Sequence, residues 1–273
     1  MSDKQFKLLV IDIDGTLINK EGVVSDKDIQ ALKHVTGAGI IVAISTGRVV
    51  QASKPILDKL PLNGYHIFSD GALVVNPQTG VELFVDPVKK EMVKRLIDYA
   101  HNSHLHFDFY SSLQYFIEED DWTTDIRRRF FLLEPTYVDF NSIWQTERII
   151  KGTLIVRTEE GRANARELQA QFDGGLAFSW TKTPRYPDID FINILSATVS
   201  KGKALGKLCN FLGIPLNQVM AIGDGSNDIS LLSGVGLAVA MGNGTPALKK
   251  VAHHVTLDVE QSGVAAAVDR FLL

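Results

Sequence analysis

The sequence predicts an α/β fold, a doubly wound parallel sheet with a second, smaller α/β domain inserted into it. Helical patterns lie at Asp26–Val35, after a predicted cap at Ser25, and at Lys201–Phe211, after a predicted cap at Ser200. Short apolar segments rich in β-branched residues alternate with these helical patterns, and each segment is followed by Asp, Ser, Thr or Gly: Leu8–Ile11, Ile40–Ile44, Ile67–Phe68 and Val219–Ile222. Such runs are typical of strands that are buried on both faces of a parallel sheet.

The middle of the chain has a different pattern. From Leu105 to Glu119 polar and apolar residues alternate, with Asp108 and Tyr110 on one side of the expected strand and Phe107 on the other. This alternation predicts an antiparallel sheet with one solvated face. We therefore expect residues 83–189 to form an inserted domain, and residues 1–82 plus 190–273 to form the main domain.

Composition narrows the class of protein. Of the 273 residues, 45% are hydrophobic and 22% are charged, as in an ordinary globular protein, and the net charge of -4 offers no basic field for nucleic acid. The single cysteine, Cys209, cannot form an intrachain disulfide. The sequence shows neither a signal-peptide pattern nor an apolar run long enough to span a membrane. We therefore expect a cytoplasmic protein without a membrane partner. The sequence leaves open whether the chain is a monomer or a weak dimer.

Two carboxylates follow the first predicted strand. Asp12 and Asp14 lie two residues apart and precede Gly15 and Thr16. In open α/β sheets a ligand binds beyond the carboxyl ends of the strands, which places Asp12 at the floor of a pocket. Two carboxylates there require a cation, or protonation of one of them. The alternative is structural, with one Asp capping a helix and the other forming a turn.

A hydroxyl, a glycine and an arginine follow the second predicted strand. The Thr46 hydroxyl can donate to a phosphoryl oxygen, and the backbone amide of Gly47 can approach it closely. An ordinary turn capped by Thr46, with Arg48 on the surface, explains the same residues.

The C-terminal half carries two further patterns. Lys201 opens a helix, where its charge opposes the helix dipole unless an anion such as phosphate is bound. Asp224 ends the last predicted strand and is followed by Asn227 and Asp228. Oxygen ligands from Asp12, Asp14 and Asp224 would suit Mg²⁺.

Together, in this order along the chain, these segments resemble the four motifs of the haloacid dehalogenase (HAD) superfamily. The motifs are Asp12-Ile13-Asp14-Gly15-Thr16, Thr46-Gly47-Arg48, Ser200-Lys201-Gly202 and Gly223-Asp224-Gly225-Ser226-Asn227-Asp228. The long insertion between the second and third motifs is similar to the α/β cap, of C2 type, in the Cof-type sugar-phosphate phosphatases. A segment ending at Asn243 is also similar to that subfamily. The resemblance implies a Rossmann-like HAD core with an inserted cap that selects the substrate.

The resemblance also implies a role for each residue. Asp12 would be the nucleophile that becomes an aspartyl-phosphate, and Asp14 the general acid and base. Mg²⁺ would be held by the Asp12 carboxylate, the Asp14 backbone carbonyl and Asp224. The phosphoryl oxygens would be bound by Thr46, Gly47, Lys201 and Asn227, with support from Arg48, Asp228 and Asn243.

The expected function is thus that of a magnesium-dependent phosphatase acting on a small phosphorylated metabolite. A phosphotransferase or phosphomutase would use the same aspartyl-phosphate, and a phosphate-sensing module would keep the pocket without turnover. Two positions depart from the family pattern: Asp70, where many relatives have Asn, and Asn193, where they often have Glu. Neither departure touches the expected chemistry.

Polar residues of the predicted insertion give weaker signals. His101, His104 and His106 admit a zinc site, although alternating strand positions near solvent explain His104 and His106 adequately without one. The run Arg127-Arg128-Arg129 is more typical of a solvated segment than of a site for a second anionic group of the substrate. Trp122, Tyr110 and Asp108 are candidate sugar contacts or, more simply, packing residues.

Overall fold

A computed structural model describes residues 6–103, 105–131, 134–172, 174–183 and 186–273. The chain divides into two compact units. The first comprises residues up to Arg48, Ser53–Phe84 and Ser200–Leu273, and the second comprises Val49–Ala52 and Val85–Val199. Across the described ranges, no helix combines the length and apolarity needed to cross a bilayer.

The first unit is built on a five-stranded parallel sheet in the order β14-β13-β12-β1-β2. Its strands are β1 (Leu8–Ile11), β2 (Ile41–Ile44), β12 (Val219–Gly223), β13 (Leu237–Ala240) and β14 (His254–Val255). A second sheet is formed by β3 (His66–Phe68), β4 (Leu73–Val75) and β5 (Glu82–Val85). The predicted parallel α/β class is confirmed.

Strand register aligns the carboxyl ends of the central strands. Ile11 of β1 pairs with Ile44 of β2 on one side and with Ile222 of β12 on the other. The residues that directly follow these strands therefore leave the same edge of the sheet, which brings together three segments that are far apart in the chain.

Helices cover this sheet, and two of them begin at the predicted caps. Ser25 accepts a hydrogen bond from the backbone N–H of Asp28, and Ser200 accepts one from Lys203. Apolar side chains of α7, among them Leu205 and Leu208, pack in the same core as β1. The helices are α1 (Asp26–Gly37), α2 (Val50–Leu57), α7 (Lys201–Leu212), α8 (Ile229–Leu232), α9 (Pro246–Val251) and α10 (Gly263–Phe271).

The second unit has a six-stranded sheet in the order β10-β11-β9-β6-β7-β8, which is antiparallel except for the β7–β8 pair. Its strands are β6 (Phe107–Tyr110), β7 (Tyr115–Ile117), β8 (Thr136–Tyr137), β9 (Lys151–Val156), β10 (Leu176–Thr183) and β11 (Tyr186–Ser196). Its helices are α3 (Lys90–Ser103), α4 (Trp122–Ile126), α5 (Phe140–Thr146) and α6 (Glu159–Gln171). Apolar residues of α3, α5 and α6 pack with Phe107 and Phe109 of β6.

Two expectations for this region need correction. The boundary predicted at residue 190 falls inside β11, which stays hydrogen-bonded to β9 and β10, so the second unit extends to Val199. The expected solvated face is also wrong at β6, because Asp108 and Tyr110 are as buried as their apolar neighbours. Asp108 is buried in an ion pair with Arg127, and Tyr110 stacks on Tyr115.

Candidate active site

A buried lysine links two aspartates at the carboxyl edge of the parallel sheet. Lys201 Nζ donates to Asp12 Oδ1 and to Asp228 Oδ1, both at 2.6 Å, and the Lys201 side chain is 0% exposed. Asp12 directly follows β1, and Lys201 is the first residue of α7. The positive charge that disfavours the start of a helix is thus neutralised by two carboxylates.

Asp224 stands beside this group. Thr16 Oγ1 donates to Asp224 Oδ1 at 3.1 Å. A Cβ atom on Gly15 would lie 2.5 Å from Asp224 Oδ2, and Gly15 has a φ of +79°, so only glycine permits this close approach. The backbone that follows Asp14 therefore packs directly against the Asp224 carboxylate.

Burial and an excess of negative over positive charge both shift the pKa values of this cluster. Burial, followed by the carboxylates of Asp228, Asp224 and Asp14, raises the pKa of Asp12 even though Lys201 lowers it. Burial and Asp228 raise the pKa of Asp224 to about 6. The pKa of Lys201, which burial lowers, is raised overall by the surrounding carboxylates, so Lys201 remains the cation.

Asp14 is paired with an arginine. Arg48 Nε donates to Asp14 Oδ2 at 2.8 Å and Arg48 Nη2 donates to Asp14 Oδ1 at 2.6 Å, a two-pronged pairing. The Asp14 side chain is 55% exposed, so this carboxylate is accessible to solvent, whereas Asp12 is buried. Arg48 was expected only in a supporting role, and the geometry connects it to Asp14.

The other predicted residues lie around the same edge. Thr46 is buried, and its hydroxyl oxygen accepts from the backbone N–H of Arg48 at 3.1 Å. Asn227 donates to Asp70 at 2.9 Å. Asn243 donates to the Gly15 carbonyl at 2.7 Å and thereby fixes the loop after Asp14.

Comparison with known proteins identifies the family. A family model described as haloacid dehalogenase-like hydrolase matches residues 9–268. The chain belongs to the HAD-like hydrolases. A phosphatase from Bacillus subtilis that acts on 5-amino-6-(5-phospho-D-ribitylamino)uracil is 28% identical, over 97% of this chain and 98% of that protein. An HMP-PP phosphatase from Yersinia pseudotuberculosis is 29% identical, over 98% of this chain and 96% of that protein.

Solved structures agree with this assignment. A protein from Bacteroides thetaiotaomicron, studied among the phosphatases of the HAD superfamily, has a TM-score of 0.80 and 26% identity, covering 99% of this chain and 96% of that one. The expected family, fold class and enzyme class are therefore confirmed for this HAD-like hydrolase: the family is one of hydrolases, and the relatives just named are phosphatases.

The HAD-like site has a donor set that fits a hard divalent cation. Carboxylate oxygens of Asp12, Asp224 and Asp228 lie within 4.8 Å of one another. Asp228 is already committed elsewhere, because its Oδ2 accepts from the backbone N–H groups of Asp224 and Gly225 and its Oδ1 accepts from Lys201. Asp12 and Asp224 retain oxygen lone pairs for a metal, beside the close-packed backbone at Gly15.

Two features of this HAD-like site were missed by sequence reasoning. Thr16 was counted in a motif without a role, yet its hydroxyl orients Asp224. Asp70 was treated as a departure from the family pattern, yet it contacts Asn227. The available signal for Asp70 was its position two residues after the end of the short β3, since β3 runs beside β2 through a parallel bridge between Ser45 and Ile67.

The candidate histidines and arginines of the second unit that the structure describes contact acidic side chains of that unit. His101 pairs with Glu118 at 2.6 Å, His106 is half-exposed near Asp121, and His104 lies outside the described residues. Of the arginine run, Arg129 is exposed as expected, but Arg127 is buried against Asp108 at 2.7 Å. The solvated interpretation of the run is thus wrong for Arg127.

Proposed function

We propose that this HAD-like hydrolase is a magnesium-dependent phosphatase that hydrolyses a small phosphomonoester through an aspartyl-phosphate on Asp12. The observation that supports this best is the buried Asp12 carboxylate, 2.6 Å from Lys201 Nζ at the carboxyl edge of the sheet. A carboxylate at the floor of a site, beside a cation and two further acids, is suited to attack a phosphoryl group and to share its charge.

The nucleophilic step uses Asp12 and Lys201. One Asp12 oxygen forms a bond to phosphorus while the bond from phosphorus to the ester oxygen breaks. Lys201, together with Thr46, Gly47 and Asn227, would hold the phosphoryl oxygens as negative charge builds on them. Mg²⁺ bound by Asp12, the Asp14 carbonyl and Asp224 would add positive charge at the nucleophile and the phosphoryl group.

Proton transfer falls to Asp14. Its protonated carboxyl would give a proton to the leaving alcohol, and its carboxylate would then take a proton from the water that hydrolyses the aspartyl-phosphate. Arg48 donates to both oxygens of Asp14 and so fixes the direction of this carboxylate. Acting as the acid requires that this pair opens when substrate enters.

The substrate we propose is a small phosphorylated metabolite such as a sugar phosphate. One relative's name gives a phosphorylated ribityl chain as its substrate, which is a phosphomonoester of a neutral polyol. We further propose that the second unit contributes to the choice of substrate. A cytoplasmic location and the absence of a nucleic-acid partner stay predictions from composition.

The test is phosphate release from a panel of sugar phosphates, nucleotides, cofactor phosphates and an aryl phosphate. Native protein, Asp12→Asn and the matched control Asp58→Asn would be compared, with Mg²⁺ and with chelator. Asp58 is exposed and pairs with Lys54, so its replacement removes one charge away from the site. We expect Asp12→Asn to lower kcat at least about 10³-fold, while Asp58→Asn keeps native activity.

Four other outcomes would change the proposal. Full activity in chelator would remove the metal from it, and full activity of Asp12→Asn would remove the aspartyl-phosphate. Phosphate transfer that depends on an acceptor sugar or a bisphosphate activator would make the enzyme a transferase or mutase. Phosphate binding by the folded native protein without any turnover would indicate the sensing module.

A further inference from the structure

Asp70 lies in a strained turn that is tied to the loop of the second motif. Ser69 and Asp70 have φ values of +51° and +54°, a left-handed conformation that costs free energy for residues other than glycine. The Ser69 N–H donates to the Arg48 carbonyl at 2.9 Å, and the Asp70 N–H donates to the Thr46 carbonyl at 3.0 Å. These bonds hold the Asp70 side chain in a fixed place beside the expected phosphate site.

The carboxylate of Asp70 contacts two groups that are expected to hold phosphate. Its Oδ1 accepts from Asn227 Nδ2 at 2.9 Å. Both of its oxygens lie 3.0 Å from the position that a Cβ atom on Gly47 would occupy, so a side chain at residue 47 would crowd it. The pKa of Lys201, which burial lowers and nearby carboxylates raise, is increased in part by Asp70.

Two consequences follow for a bound phosphoryl group. The amide nitrogen of Asn227 carries two hydrogens, and since one is donated to Asp70 the other is left, in a fixed direction, for a phosphoryl oxygen. The Asp70 charge also adds to a site that is already acidic. Five carboxylates, a formal charge of -5, face two cations, a formal charge of +2: Asp12, Asp14, Asp70, Asp224 and Asp228 against Lys201 and Arg48.

The formal net charge of this set is therefore -3, and binding of one divalent cation would change it to -1. Such a site binds a phosphoryl group through local contacts but repels further negative charge on the same ligand. Asp70 is the member of this set that neither pairs with Lys201 or Arg48 nor belongs to the expected metal ligands. Its charge can therefore be removed with the least disturbance of the proposed chemistry.

We propose that Asp70 is a specificity-determining residue of the phosphatase site, an inference that rests on the proposed function. Its carboxylate orients Asn227 and selects phosphate esters with an uncharged remainder over ligands that carry a second anionic group. The natural substrate is then a phosphomonoester of a neutral alcohol or polyol, and diphosphates and phosphorylated acids are discriminated against.

The experiment measures binding without turnover. Propylphosphonate and 3-phosphonopropionate have the same length and differ by a methyl group against a carboxylate at the far end, and neither has an ester bond to hydrolyse. Their affinities would be measured by calorimetry with Mg²⁺ for native protein, Asp70→Asn and the control Asp58→Asn. Asparagine keeps an oxygen that accepts from Asn227 and tolerates the left-handed conformation, so the fold is expected to persist.

We expect native protein to prefer propylphosphonate, and Asp70→Asn to bind 3-phosphonopropionate about tenfold more tightly and propylphosphonate at most about threefold more tightly. Asp58→Asn should bind both as native protein does. An equal change for the two probes in Asp70→Asn, no change, or native protein that binds neither probe would overturn the proposal.

Parallel assays of phosphate release separate the two proposals. Discrimination that depends on Asp70 in a protein without turnover would support the role of Asp70 and refute the phosphatase. Turnover by a protein whose discrimination between the two probes does not depend on Asp70 would support the phosphatase and refute the role of Asp70.

Discussion

Each unit of the protein buries charged side chains, but the two groups differ in their balance. In the second unit Arg127 and Asp108 form a one-to-one pair at 2.7 Å with both side chains 5% exposed, and Tyr115 donates to the same carboxylate at 3.3 Å. In the first unit a single Lys201 serves both Asp12 and Asp228. Asp224 stands next to them and accepts a hydrogen bond from the Thr16 hydroxyl.

The difference shows which buried charge is structural and which is available for chemistry. A balanced pair with hydrogen-bonding neighbours is a self-contained part of the core, and no further ion is required to hold it. Burial raises the pKa of Asp12 and of Asp224, and the neighbouring carboxylates raise it further, so that a divalent cation or a change of protonation is needed to offset the excess negative charge. Burial alone does not distinguish the site, since it also raises the pKa of Asp108 in the balanced pair. The site differs from that pair in its excess of carboxylates over cations.

The largest effect is expected from Lys201→Met. Removing the cation that pairs with both Asp12 and Asp228 should lower kcat/KM about 10²–10³-fold, because negative charge that builds up on the phosphoryl oxygens loses this positive hydrogen-bond donor. The free energy of unfolding should fall by about 3–5 kcal/mol, since buried carboxylates are left uncompensated. Phosphate release and urea denaturation measure the two quantities.

The control for this change is Lys203→Met, two residues further along α7 at an exposed position. It should leave activity native and change stability by less than about 0.5 kcal/mol. Adding Mg²⁺ should restore part of the stability of Lys201→Met, because a bound cation replaces some of the lost charge. An active and fully stable Lys201→Met protein would contradict the importance of charge excess.

Replacing one member of the Arg127–Asp108 pair should lower the stability of the protein, and replacing both members should restore most of it. Arg127→Met leaves the Asp108 carboxylate buried without its guanidinium and should cost about 3–5 kcal/mol of stability. Adding Asp108→Asn removes the charge while keeping an acceptor for the Tyr115 hydroxyl, and should return stability to within about 1–2 kcal/mol of native.

Thermal and urea unfolding of the two single variants and the double variant complete the cycle, with Arg129→Met as the control at a position whose side chain is 74% exposed. If the double variant were as unstable as Arg127→Met alone, the pair would not be the self-contained unit described above. Such a result would assign part of the cost to the stacking of Arg127 on its aromatic neighbours.

The smallest effect concerns pH. Burial and Asp228 raise the folded-state pKa of Asp224 from 3.8 to about 6, so the metal-free folded protein binds this proton more tightly than the unfolded chain does. Stability should therefore fall as pH rises from about 4 to about 6, by on the order of 1–2 kcal/mol after allowance for partial exposure.

Urea denaturation between pH 4 and pH 7 in chelator, for native protein and Asp224→Asn, isolates this contribution as a difference. Asp224→Asn should lack it, and Mg²⁺ should cancel it in native protein at pH 7, because a bound cation favours the ionised carboxylate. Equal pH dependence of the two proteins would show that Asp224 does not carry the excess charge.

Much of the first unit was predictable because its signals are local. Apolar runs ended at Asp12 and Asp224 and identified strands whose carboxyl ends must share an edge, and Ser25 and Ser200 identified two helix starts. The second unit was less predictable. Alternation at β6 indicated a solvated face, but Arg127, 19 residues away, covers Asp108.

The sequence by itself determined the parallel α/β class, the four motifs and the identity of the residues that leave the edge of the sheet, because these follow from patterns within a few residues. Only the tertiary structure decided which charges meet: Lys201 with Asp12 across 189 positions, Arg48 with Asp14 across 34, and Asn227 with Asp70 across 157. Such pairings depend on strand order and register, which bring distant segments together and which no local pattern encodes.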